Sequence, residues 1–257
     1  VPQMIDSKAM AYVNMFGVLA ALQGLCEMDS AAQEIVHKIT KPIAPCFMVK
    51  DGPCATFRFS KDGCVMTPGS VGCTCRMEFA SPEKFNQMID SGKPGMPVKG
   101  VVPLLKFLTG PFTQLTNRLT EVLRPSEQAL ADPAFLEENT LLTMDVIAGA
   151  ISCLANHDPI GRISADGTVD GDVLLGIRDK RYITIRVQDH RFTTIRDKTE
   201  TPRAVMEFDS IALAHGLFNG EVSTINEMCQ GHIHLAGMLS MVDNVNRILD
   251  RVSLYLA

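Results

Sequence analysis

The side chains best suited to chemistry stand near the end of this 257-residue chain. Cys229-Gln230-Gly231-His232-Ile233-His234 offers one thiol and two imidazoles at spacings that metal ligands use. Earlier, Cys73-Thr74-Cys75 would set two thiols on one face of a strand. A zinc site needs four protein ligands, or three and an open position. The nearest further candidates are Cys64 for the early pair and His215 for the late cluster, and nothing in the spacing makes them converge. The reading is therefore buried thiols and strand-surface histidines, with no metal. Cys229 beside a histidine could act as a nucleophile, because a thiolate needs a neighbouring base or a lowered pKa, but no third residue to orient the base can be identified. An enzyme or enzyme accessory subunit using these Cys and His residues on a hydrophobic substrate stays open as the alternative to a non-catalytic protein. Asp166-Gly167-Thr168-Val169-Asp170-Gly171-Asp172 has the carboxylates and glycine of a calcium loop but lacks the closing glutamate, and reads as a hairpin turn. No glycine-rich phosphate loop is present, so no nucleotide cofactor, and no cofactor of any other kind, is expected.

The elements that must position these residues come in two similar series. Met77-Glu78-Phe79-Ala80-Ser81 recurs as Met206-Glu207-Phe208-Asp209-Ser210, and the same offset of 129 relates Met15, Ala21, Leu25 and Asp29 to Met144, Ala150, Leu154 and Asp158. Thr56-Phe57-Arg58-Phe59 answers Thr184-Ile185-Arg186-Val187 one residue out of step, as a single insertion in a turn would cause. The seam is expected near Arg124-Pro125-Ser126, which divides the chain into residues 1–125 and 126–257. Each half opens with a helical pattern, 7–38 and 132–156. Strand-like runs follow: 55–60 and 73–79 in the first half, 182–188, 191–196 and 203–208 in the second. In Ile183-Thr184-Ile185-Arg186-Val187 the apolar side chains share one face, so the sheet has one dry side. Met238 to Leu256 carries Met238, Met241, Val245 and Ile248 as a helical stripe. The expected class is α+β, with two units that each pack an antiparallel sheet against helices.

This order of helix, strands, short helix and closing helices resembles the sterol carrier protein type 2 family. The residues that carry the likeness follow the strand ending at Phe208: a helix, Asn219-Gly220-Glu221, then Gly231-His232-Ile233-His234-Leu235-Ala236-Gly237, similar to the family's last strand. In the first half, Phe85-Asn86-Gln87-Met88 with Ser91-Gly92-Lys93 resembles the family's helix and its Gly-Lys, after which Pro94 and Pro97 depart from the pattern and would interrupt the final strand. The resemblance implies a tunnel between the apolar sheet face and the C-terminal helices, for a sterol, fatty acid or acyl-CoA, and no catalytic residue. It favours the second unit as the binder, through Met206, Phe208, Leu217, Met238, Met241 and Val245. The corresponding candidates in the first are Phe85, Met88, Phe107, Leu108 and Phe112.

Composition agrees with such a reading. Hydrophobic residues make up 46% of the chain and charged residues 21%, which gives ample core. Fourteen methionines and no tryptophan supply flexible apolar side chains of the sort that line adaptable cavities. The net charge of -5, with scattered Lys and Arg, removes the electrostatic footprint of a nucleic-acid binder. Continuous apolar stretches such as Val146 to Ala155 are about half the roughly 20 residues that cross a bilayer. The eight cysteines form no small disulfide framework, and a reduced, cytoplasmic protein is expected, with a hydrophobic small molecule as ligand and a membrane or enzyme as transient partner.

Overall fold

Helix breaks and caps written into the sequence divide the chain into its elements. The computed structural model describes residues 4–92, 98, 99 and 102–257. Two units, Val1–Pro125 and Ser126–Ala257, each hold their own core.

In the first unit the Asp6 carboxylate accepts from the Ala9 N–H at 2.7 Å and starts α1 (Ser7–Val13). The helix runs on through a π-helical turn (Asn14–Val18) and a 3-10 turn (Leu19–Ala21) into α2 (Leu22–Met28). Asp29 adopts an extended backbone, stops α2 and caps α3 (Ser30–His37). Four strands follow, β1 (Pro45–Val49), β2 (Cys54–Ser60), β3 (Gly63–Pro68) and β4 (Cys75–Phe79), then α4 (Pro82–Ser91), β5 (Val98–Lys99) and α5 (Val102–Phe107). A second π-helical turn (Leu108–Phe112) leads into α6 (Thr113–Leu123). The sheet order is β3-β2-β1-β4-β5.

The second unit has α7 (Glu127–Leu130), a long α8 (Pro133–His157), α9 (Pro159–Asp166), β6 (Gly171–Ile177), β7 (Arg181–Gln188), β8 (Arg191–Ile195), β9 (Ala204–Phe208), α10 (Ile211–Phe218), α11 (Thr224–Cys229), β10 (Ile233–Gly237) and α12 (Leu239–Tyr255). Its order, β10-β9-β6-β7-β8, places each strand as in the first sheet. Both units are thus α+β, a sheet packed with helices.

Each sheet is antiparallel except for one central parallel pair, β1 with β4 and β6 with β9. Two hairpins build the sheet outward from β1 or β6, and the chain then returns across the outer face to the opposite side of that strand, arriving in the same direction. A threonine fastens each return. The Thr56 hydroxyl donates to the Gly69 carbonyl at 2.8 Å, and the Thr184 hydroxyl donates to the Asp197 carbonyl at 2.6 Å.

Several expectations shift. Gly167 to Asp170 is not a hairpin turn but the link from the end of α9 to β6. The run Val173-Leu174-Leu175-Gly176-Ile177, buried along its whole length, is the central strand β6; it carries no alternation because both of its faces are covered. Lys93, Pro94 and Pro97 lie outside the described residues. Windows in Ser7–Met28 and Pro133–His157 are long and apolar enough to cross a bilayer once scattered polar residues are tolerated, and each is 67% buried inside its unit. They are core helices of the folded chain.

Phe47, Phe57, Phe59 and Met77 line the inner face of the first sheet, and Val173, Leu175, Ile183, Ile185 and Met206 that of the second. Glycine is required where α9 turns back on α8: a Cβ at Gly161 would run into the Leu154 carbonyl.

The helical layer of each unit is locked by one buried aspartate. Asp158 caps α9 by accepting from the Gly161 N–H at 2.8 Å. It also accepts both Arg251 Nε and a second Arg251 nitrogen at 2.9 Å, and the Tyr255 hydroxyl at 2.7 Å. In the first unit Asp29 caps α3 through the Ala32 N–H and receives Arg118 at 3.0 and 2.8 Å. Burial pushes the Asp158 carboxyl up, but hydrogen bonds from Arg251, Tyr255 and the Gly161 N–H outweigh it, so the carboxyl titrates below its usual range. Its contribution to stability is present above the unfolded-state value near 4 and is lost as pH falls through the lowered folded-state value. Arg251→Met, which leaves that carboxylate buried without its counter-charge, is expected to cost about 3–5 kcal/mol at pH 7. Urea unfolding from pH 7 to pH 3 checks this, and the gap from the unaltered protein should narrow as pH falls, because the uncompensated carboxylate takes up a proton sooner in the variant.

Candidate functional site

Where the first helix, α4 and α6 meet in the first unit, they leave a cleft of about 80 Å³. Val18 and Leu19 form one wall, Met88 and Ile89 the second, and Phe112, Thr116 and Leu119 the third. Two of these three helical walls are distorted here. Val18 ends the π-helical turn Asn14–Val18, and Phe112 ends the π-helical turn Leu108–Phe112. Single π turns inside α-helices occur frequently at functional sites. The second has a local cause: Pro111 lies inside the helix and has no N–H to donate, while the Thr113 hydroxyl donates to the Leu108 carbonyl at 2.6 Å across the irregular turn.

Side-chain amides fix α4, which carries one wall, against the first helix. The Asn14 amide donates to the Asn86 side-chain carbonyl at 2.9 Å, and the Asn86 amide donates to the Ser7 carbonyl at 2.9 Å, tying α4 along α1. Gly92 ends α4 with φ of 64°, the left-handed conformation that favours glycine, and nothing stands within 4 Å of where its Cβ would be. The Thr116 and Thr120 hydroxyls donate to the Thr113 and Thr116 carbonyls of their own helix. An apolar recess with few committed polar groups is suited to hydrophobic burial and not to bond chemistry.

The sequence-predicted residues fall into separate groups. Met88 and Phe112 line the cleft. Phe85 packs on Phe79 with ring centroids 5.1 Å apart, and Phe107 lies 5.0 Å from Phe59 and 6.1 Å from Phe112, so these rings and Leu108 fill the space between sheet and helices. In the second unit Met206 and Phe208 point to the inner face of β9, with Phe208 5.9 Å from Phe218, and Leu217 is half-buried on α10. Met241 and Val245 are buried on α12, which packs on α8, α9, β9 and β10; Met238 caps that helix and is half-buried. Val18, Leu19, Ile89 and Thr116 also line the cleft and carry no sequence signal that marks them, because they come from three separate helical segments.

Cys229 is exposed, and the His232 ring is held by the Glu227 carboxylate at 2.6 Å. Among the described residues no three His, Cys, Asp or Glu side chains gather as they would around a metal ion. Burial pushes the thiols of Cys26 and Cys153 up to about 12.

No family model and no curated protein sequence matches the chain. A solved structure described as a UbiJ-SCP2 ubiquinone synthesis protein aligns over 41% of this chain and 93% of its own length, at 10% identity and a TM-score of 0.32.

Met88 is buried in the cleft wall, and its truncation extends the existing void. Met88→Ala is expected to lower stability by about 2–5 kcal/mol, and Ile89→Ala, at a half-buried position, by less. Urea midpoints of the two variants measure the difference.

Proposed function

We propose that this chain is a non-catalytic binder of a hydrophobic small molecule, made by tandem duplication of one sheet-and-helix unit, with the cleft of the first unit as its binding site. The observation that carries the reading is the recess walled by Val18, Leu19, Met88, Ile89, Phe112 and Leu119 between two π-distorted helices. Duplication is supported by the shared strand order and by the matched pairs Asp29 with Asp158 and Thr56 with Thr184, each doing the same work in its unit.

Size bounds the ligand. At about 80 Å³ the cleft is smaller than the roughly 300–1,000 Å³ of sites that enclose drug-sized molecules, and smaller than the roughly 150 Å³ cavity that accepts benzene. A whole sterol does not fit. An alkyl terminus does, with the rest of the ligand outside or admitted by rotation of the unbranched Met88 side chain. Each Å² of apolar surface removed from water stabilises the complex by about 25 cal/mol, with no directional chemistry needed. A fatty acyl chain, free or as its thioester, is therefore the preferred class, carried in the cytoplasm and delivered to an enzyme or membrane. This departs from the sequence, which favours the second unit as binder.

The test is saturable binding of cis-parinaric acid, a fluorescent fatty acid, together with native mass spectrometry of the protein as purified from cells. The unaltered chain should bind one equivalent. Val18→Trp, which fills the recess, should weaken binding at least tenfold while the circular dichroism spectrum is unchanged. Undiminished binding by Val18→Trp overturns the first-unit site, and loss of binding in Met241→Ala instead transfers it to α12 of the second unit. Absence of any stoichiometric binding overturns the carrier reading.

A further inference from the structure

A second kind of site lies on the opposite, outer face of the first sheet, apart from the apolar cleft. Cys46 in β1 is fully buried and Cys54 in β2 is half-buried. Cys46 pairs across the ladder with Thr56, and Cys54 with Met48, so the two thiols are diagonal neighbours on one face. Their sulfurs are 3.6 Å apart. The other face of the same strands is the Phe47, Phe57 and Phe59 core, so these thiols take no part in the contacts that hold sheet to helices.

The covering segment is the return from β3 to β4. The Cys46 thiol points at the Gly69 carbonyl, 3.9 Å away, beside the Thr56 hydroxyl that fastens the same carbonyl. Gly69 and Gly72 have φ of 85° and 79°, and a Cβ at either would meet nothing within 4 Å. Val71 between them is 87% exposed. The cover is thin, and the half-buried Cys54 is the thiol of the pair that solvent-borne reagents reach.

The geometry points to a two-thiol redox site in which peroxide oxidises Cys54 and Cys46 resolves it to a disulfide. The Cys54 sulfur attacks one peroxide oxygen, the O–O bond breaks, and Cys54 becomes a sulfenic acid with release of water. The Cys46 sulfur then attacks the Cys54 sulfur; an S–S bond forms, the S–O bond breaks, and the hydroxyl leaves with the Cys46 proton as a second water. Two thiols lose two electrons and one hydrogen peroxide gains them. Burial first, then a hydrogen bond with Cys54 and the nearby Cys54 and Cys73, push the Cys46 thiol up to about 12, against an opposing hydrogen bond from Thr56, so peroxide meets Cys46 as a protonated thiol and the more accessible Cys54 is the one it oxidises. Exchange with an external thiol returns such a disulfide to two thiols, which makes the step reversible.

The experiment uses the full chain, one equivalent of hydrogen peroxide, and peptide mapping of the quenched product. The expected result is a Cys46–Cys54 crosslink with the loss of two hydrogens from the intact mass, undone by dithiothreitol. The pair should react at least tenfold faster than Cys26 and Cys153, which are buried apart from it. Cys46→Ser should leave Cys54 as a sulfenic acid that dimedone captures, and Cys54→Ser should remove both crosslink and capture. The surface-accessible Cys54→Ser serves as the control should Cys46→Ser fold poorly. A crosslink from Cys46 to Cys73, undiminished thiol loss in Cys54→Ser, or oxidation of Cys54 no faster than of Cys153 would overturn the assignment.

Discussion

A carboxylate buried at a helix break fixes the helical layer of each unit. Asp29 and Asp158 each end one helix, cap the next, and receive two hydrogen bonds from an arginine on the closing helix. The arrangement is self-consistent in charge: an ionised aspartate inside a protein is tolerated because a guanidinium and a helix N-terminus both face it. It is also directional, since the planar arginine fork accepts one carboxylate orientation. The angle between the first helices and the last is set by that fork, and the cleft of the first unit lies between them.

The sheets meet a different constraint. A central parallel pair needs a long return, and the return passes over the face that the helices leave uncovered. In the second unit it is held by Thr199, whose hydroxyl donates to Asp172 at 2.7 Å, and by Lys198 set 4.2 Å over the Tyr182 ring. In the first it holds through fewer polar links and covers the thiols of Cys46 and Cys54 instead. Two sheets of the same strand order thus present different chemistry on their outer faces, charged and hydrogen-bonded in one and sulfur-rich in the other.

Much of this frame can be read in the sequence. The repeated Met-Glu-Phe strand, the helical stripe of α12 and the aspartates in register mark elements whose periodicity or spacing survives in one dimension. What escapes notice is whatever depends on two-sided burial or on distance along the chain. β1 and β6 lack alternation because both faces are covered. Arg118 and Arg251 do not share the register of the aspartates they hold, because the segments before the closing helices differ in length. The cleft is least legible, since Val18 and Phe112 reach it only through π turns, of which Pro111 is the single local sign.

The clasp also sets an order of events during synthesis. Asp29 and Arg118 are separated by 89 positions, so at roughly 5–20 residues per second the aspartate leaves the ribosome on the order of 5–20 s before its partner exists. Through that interval the hairpins of the sheet can pair locally, while the first helices have no fixed angle to adopt. Asp158 waits similarly for Arg251, 93 positions on. Each half of the nascent chain therefore completes its helical layer only with its last helix, and a ribosome that stalls before that point displays a sheet whose apolar face is covered by the first helices alone.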